Sequence, residues 1–128
     1  MTDLKVLLVD DEDDLVETLA ERLEIRDINA AWVTSGEEAL EKMAEEQYDI
    51  AILDVKLPGI NGITLKKLME QKNPRMKFIF MTGHGSETDF RAGSKEAGAE
   101  YYLIKPVNID ELIKKMNEVM TGGGGETG

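Results

Sequence analysis

The chain has 128 residues, 41% hydrophobic and 32% charged, a size and balance that fit one globular domain with a core of its own. It has no cysteine, which excludes disulfides and thiolate metal sites, and no apolar run as long as a membrane span. Its formal net charge of −11 repels nucleic-acid phosphate, so direct nucleic-acid binding is not expected, while cations and basic protein surfaces are attracted. The N-terminus, Met1 to Lys5, has no basic region leading into a long apolar core, so no secretory signal is expected and the cytoplasm is the expected location.

Lys5-Val6-Leu7-Leu8-Val9 is a short apolar run typical of a buried strand, and it stops on Asp10-Asp11-Glu12-Asp13-Asp14. Leu15, Val16, Leu19, Ala20 and Leu23 then recur at helical spacing, with Asp13 or Asp14 as the expected cap. Asn29–Val33 is a weaker strand signal, with Trp32 expected in the core or half-buried. Ser35-Gly36-Glu37-Glu38 has the form of a capping box ahead of a second helix. Ile50-Ala51-Ile52-Leu53 is a continuous apolar run ending on Asp54, the pattern of a strand covered on both faces. Behind it, Pro58-Gly59 and Asn61-Gly62 mark a loop, and a third helix runs from Ile63 to about Asn73-Pro74. Met76–Met81 is the fourth predicted strand, followed by Thr82-Gly83-His84-Gly85; a poorly patterned fourth helix is expected over about Glu87 to Ala97. Tyr101–Ile104 is the fifth strand, ending on Lys105-Pro106. Asn108-Ile109-Asp110-Glu111 is another capping box, opening a last helix with the cleanest apolar stripe in the chain. Strands alternating with helices predict a parallel sheet with helices on both faces. Residues 1–121 are the expected domain, and 122–128 a flexible glycine-rich tail, either a terminus or the start of a linker.

Parallel strands end at one edge of their sheet, where open α/β sheets bind ligands. Asp10, Asp11 and Glu12, then Asp54, Thr82 and Lys105, all fall at strand ends and are expected to meet there. Taken singly, the acids could cap a helix, Lys105 could pair with them, and Thr82 could serve a turn. Together they make a sharper pattern. Carboxylates held close together repel and suit a hard divalent ion, Mg²⁺ in particular. A cation, a lysine and a hydroxyl around one carboxylate form a receptor for a transferred phosphoryl group, with Asp54 as the nucleophile.

The Asp10-Asp11 pair, the Asp-x-x-x-Pro-Gly-x-x-Gly segment from Asp54 to Gly62, Thr82, and Lys105-Pro106 resemble the receiver domain of two-component response regulators. The likeness covers about residues 3 to 121 and implies an α/β fold: a flavodoxin-like (βα)5 three-layer sandwich with a five-stranded parallel sheet. It implies phosphorylation of Asp54 by a phosphohistidine on a sensor histidine kinase or phosphotransfer protein. It also implies Mg²⁺ held by Asp11, Asp54 and the Lys56 backbone carbonyl, with Asp10 assisting through water. Thr82 and Lys105 would bind phosphoryl oxygens, and Tyr102 matches the family's switch aromatic. Lys56 and His84 occupy positions that tune dephosphorylation. The face of the fourth helix, fifth strand and fifth helix (α4-β5-α5 in the family) would contact an output domain, a downstream protein or, on phosphorylation, a second copy. On this reading the chain is a phosphoacceptor module rather than an enzyme with a free substrate, catalysing its own phosphoryl transfer and slow autodephosphorylation, with no membrane partner.

Two other classes compete. A flavin-binding sheet of this type needs an uncharged phosphate cradle after the first strand, and this chain has acids there. An aspartyl-nucleophile phosphatase needs a second acid just after the nucleophile, and position 56 is lysine. A P-loop motif is absent.

Overall fold

The computed structural model describes residues 4–83 and 102–121. Five strands, β1 (Lys5–Val9), β2 (Asn29–Val33), β3 (Ile50–Asp54), β4 (Lys77–Thr82) and β5 (Tyr102–Ile104), form one sheet in the order β2-β1-β3-β4-β5. Every pairing is parallel. Among the described residues four helices cover the sheet: α1 (Asp13–Ile25), α2 (Gly36–Glu45), α3 (Gly62–Lys72) and α4 (Ile109–Met120). The fourth predicted helix, about Glu87 to Ala97, lies outside the described residues, as do His84, Tyr101 and the glycine-rich tail.

Side-chain alternation along the strands divides the core in two. Val6, Leu8, Ile50, Ile52, Ile79, Met81 and Leu103 pack with α1 and α4 on one face. Leu7, Val9, Ala51, Leu53, Phe78 and Phe80 pack with α2 and α3 on the other. This makes a three-layer sandwich. All of β3 is buried, down to Asp54. Its large apolar residues, Ile50, Ile52 and Leu53, are fully inaccessible. At about 2 kcal/mol each, their burial offsets part of the cost of carrying the carboxylate that follows into a crowded edge.

Helix starts are set by local polar residues. Ser35 Oγ accepts from the Glu38 N–H at 3.1 Å, and Asn108 Oδ1 accepts from the Glu111 N–H at 3.1 Å, as the capping boxes predict. The reciprocal arm of the first box is displaced by one residue: Glu38 Oε1 accepts from the backbone N–H and hydroxyl of Thr34, at 3.0 and 3.2 Å. The start of α1 corrects the sequence expectation. Its N-cap is Glu12, whose side chain makes no cap hydrogen bond, and Asp13 and Asp14 lie within the first turn. Trp32 is 37% exposed rather than in the core, because β2 is the edge strand and only β1 flanks it. Strand β4 runs one residue later than predicted, so Thr82 is its last residue rather than the first of a loop.

Candidate functional site

The sheet order makes β1 and β3 neighbours, although β2 lies between them in the chain. Connections leaving the two strands go to opposite faces, which opens a crevice at their carboxyl ends. Asp10 directly follows β1 and Asp54 closes β3, so the topology brings two carboxylates to the mouth of that crevice.

Both are tied down in the same way. Asp10 Oδ1 accepts from the Glu12 N–H at 2.9 Å, and Asp54 Oδ1 accepts from the Lys56 N–H at 3.2 Å. A short acid bonding the N–H two residues on satisfies a donor that the strand no longer pairs. The second oxygen of each faces Lys105, whose Nζ lies 2.7 Å from Asp10 Oδ2 and 3.2 Å from Asp54 Oδ2. The contact to Asp10 is a close ion pair that falls outside hydrogen-bond alignment, which leaves Oδ2 without a directed donor among the described residues. Lys105 itself is fixed by the sheet: its N–H donates to the Thr82 carbonyl at 2.8 Å, and the peptide to Pro106 is cis.

Burial makes this cluster tense. Asp10 is 0% exposed and Asp54 6%. Burial pushes the Asp10 carboxyl up from 3.8 to about 6; Lys105 and the Glu12 N–H pull it back in part, and Asp54 adds repulsion. Burial also raises Asp54, against the pull of Lys105 and the Lys56 N–H and with added repulsion from Asp11. Burial alone would lower Lys105, but the carboxylates of Asp10 and Asp54 more than offset it and hold its ammonium charged. One lysine therefore faces Asp10, Glu12 and Asp54, and Asp11 adds a further acid beside them.

Carboxylate oxygens of Asp10, Asp11 and Asp54 all lie within 4.8 Å of one another. Hard oxygen donors, a net negative charge and an Asp10 oxygen without a directed donor fit a small divalent cation such as Mg²⁺. Lys56 has an exposed side chain, and its backbone turns over Asp54 through the N–H contact given above.

Thr82 is 3% exposed, and among the described residues its Oγ1 has no hydrogen-bond partner. A buried hydroxyl in that state costs roughly 1–3 kcal/mol, which an incoming acceptor would recover. On the adjacent strand β5, Tyr102 pairs in register with Phe80, two residues before Thr82, and stacks on it, with ring centroids 5.2 Å apart and planes at 22°. Burial raises the Tyr102 hydroxyl to about 12, so it stays protonated. The loop after Asp54 is held close. A Cβ on Gly62 would meet the Asp54 carbonyl oxygen at 2.2 Å and the Val55 Cα at 2.9 Å, so only glycine lets α3 begin against the site.

The structure thus gathers Asp10, Asp11, Asp54 and Lys105, with Thr82 at the adjoining strand end; His84 lies outside the described residues. Sequence reasoning brought Glu12 to this edge without giving it a role. Its Oε1 is 3.3 Å from Lys105 Nζ. A third acid directly after the pair was the available signal, masked by the ordinary preference for acids at helix starts.

A sequence model described as the response regulator receiver domain matches residues 6–117. The chain is 37% identical over 116 residues to transcriptional regulatory protein CpxR of Escherichia coli (strain K12), covering 91% of this chain and 49% of that protein. It is 33% identical over 119 residues to the uncharacterized transcriptional regulatory protein YesN of Bacillus subtilis (strain 168), covering 91% of this chain and 32% of that protein. It spans about a third to a half of the length of these curated relatives. Among solved structures, a response regulator receiver domain protein (CheY-like) from Methanospirillum hungatei JF-1 matches with a TM-score of 0.84 at 30% identity. That match covers 94% of this chain and 95% of the other.

Proposed function

The chain belongs to the response regulator receiver-domain family of two-component signalling, and from that membership we propose that it works by accepting a phosphoryl group on Asp54. One observation carries the assignment: the Asp54 carboxylate sits 3.2 Å from the Lys105 ammonium inside a three-carboxylate cluster. The donor is a phosphohistidine of a sensor histidine kinase or phosphotransfer protein. An Asp54 oxygen attacks phosphorus, the P–O bond forms as the P–N bond breaks, and the imidazole leaves with a proton.

The chain's own residues prepare each part of this. The Lys56 N–H holds Asp54 Oδ1, which fixes the orientation of the carboxylate. Lys105 pairs with a phosphoryl oxygen, and the buried Thr82 hydroxyl donates to another. Asp11, Asp54 and the Lys56 carbonyl, assisted by Asp10, would hold Mg²⁺, which would supply positive charge for the remaining phosphoryl oxygens. When Thr82 turns to the phosphoryl group, the space beside it changes for Tyr102. This remodels the face to which β5 and α4 belong. That face meets an output domain, a downstream protein or a second copy. Lys56 and His84 set the rate at which water removes the group, so the chain is a phosphoacceptor that limits its own signal. Residues 1–121 form the working domain, with 122–128 as tail or linker.

We place the domain in the cytoplasm with no membrane contact; no helix among the described residues is long and apolar enough to cross one. The printed names of the relatives include a DNA-binding transcriptional regulator, NtrC of Escherichia coli (strain K12), of which this chain covers 23%. With a charge of −11, this domain is not the part that meets DNA.

Acetyl phosphate with Mg²⁺ should add one phosphoryl group, read by intact mass, and Asp54→Asn should abolish it. Labelling of the variant at the wild-type level would overturn the assignment.

A further inference from the structure

The Lys105 ammonium carries three N–H donors and faces three acids. Two of them cannot leave. Asp10 is wholly buried, Asp54 nearly so, and each is anchored through its other oxygen to a backbone N–H. Glu12 differs. Its Oε1 lies 3.3 Å from Nζ, yet its side chain is 64% exposed and its backbone is the N-cap of α1. An acid at that position could turn inward to the free N–H groups of the first helical turn, but no such bond is made. The carboxylate reaches across to Lys105 instead, joining positions far apart in the chain.

We propose that Glu12 is a resident stand-in for the phosphoryl group and sets which donors can use the site. This rests on the reading of Asp54 as phosphoacceptor. In the resting chain Lys105 gives one N–H to Asp54, pairs with Asp10 through charge alone, and gives a second N–H to Glu12. A phosphoryl oxygen needs that donor, so Glu12 is displaced into water as the group arrives. The exposed acid is the one that yields, because returning it to solvent costs little while stripping a buried acid costs much. Until it yields, its negative charge stands at the mouth of the crevice and repels the approaching donor, more strongly the more charge that donor carries. Glu12 is thus a positioning residue for Lys105 and a determinant of donor choice, discriminating against doubly charged small phosphodonors.

The test compares wild type with Glu12→Gln at saturating Mg²⁺. Two donors are used: acetyl phosphate, doubly negative at neutral pH, and phosphoramidate, which carries a smaller net charge. Labelling rate is measured against donor concentration. Glu12→Gln should raise the rate at low acetyl phosphate by roughly two- to fivefold, the size of one exposed ion pair, and leave the saturated rate unchanged. The gain should be smaller for phosphoramidate and fade as salt is raised towards about 1 M. A thermal melt checks that the exchange leaves the fold intact. Equal rates for variant and wild type, or a gain identical for both donors and indifferent to salt, would overturn the role of Glu12 while Asp54 remained the acceptor. Failure of the wild type to label with either donor would overturn the Asp54 reading itself.

Discussion

Asp49 stands just before β3 and Asp54 closes it, and the two ends of the strand treat the same side chain differently. At the amino end, Asp49 is exposed, and its Oδ2 accepts from the Lys5 N–H at 2.9 Å. Lys5 in turn pairs with exposed Glu46 at 3.3 Å and lies over the Tyr48 ring at 5.9 Å. Charges there are matched and wet, as in an ordinary surface. At the carboxyl end, Asp54 and Asp10 are buried, and Lys105 beside them is shared with Glu12. Residue type is therefore a poor guide to chemistry. What differs is how little water and how little positive charge each carboxylate is given.

The contrast is broken most directly at Lys105. Lys105→Met removes the cation facing two buried carboxylates and should destabilise the fold by about 3 kcal/mol at pH 7 in urea melts. The deficit should shrink near pH 5, where Asp10 takes up a proton. A loss under about 0.5 kcal/mol would mean the buried acids are relieved by something other than Lys105.

A divalent ion sharpens the same contrast from the other side. At ten times its Kd, Mg²⁺ should stabilise the fold by about 1.4 kcal/mol at pH 7, read by thermal melts. Asp10 and Asp54 both have raised pKa values in the folded chain, so their ionisation opposes folding. Without Mg²⁺ this penalty is absent below the ordinary carboxylate pKa, 3.8 for Asp10. It grows as pH rises towards about 6 and is constant above that. Asp10→Asn should flatten that slope, and the Mg²⁺ effect should weaken as pH falls below about 6 and Asp10 takes up its proton. An Mg²⁺ effect undiminished at pH 4 would place the ion elsewhere.

The smallest effect belongs to the amino end. Asp49→Asn should cost under about 0.5 kcal/mol and leave acetyl phosphate labelling unchanged, because an amide oxygen and water can both replace the lost acceptor. A large labelling defect would mean that the two ends of β3 are coupled.

Much of this was legible in the chain. The apolar runs of β1, β2 and β3 have the predicted limits, and Ser35 and Asn108 cap the helices they were expected to cap. Asp54 was legible as the end of a covered strand. Less legible was the inequality of the acidic run. Asp10 and Asp11 are neighbours in sequence, yet one is wholly buried and the other exposed. Glu12 displaced Asp13 and Asp14 as the helix cap, since its backbone and not its side chain was needed there. Whether Trp32 would be in the core or half-buried was not legible, because composition does not say which strand lies at an edge.

By itself, then, the sequence determined which of the described segments become strands and helices, most of their limits to within a residue, and which chemical groups stand near their ends. Apolar periodicity and capping act over a few residues and are written locally. Only the tertiary structure decided that β1 and β3 are neighbours, that Asp10 and Asp54 lose their water, and that Glu12 reaches Lys105. Those outcomes depend on distances between segments far apart in the chain and on the low dielectric that packing creates around them, and no local pattern encodes either.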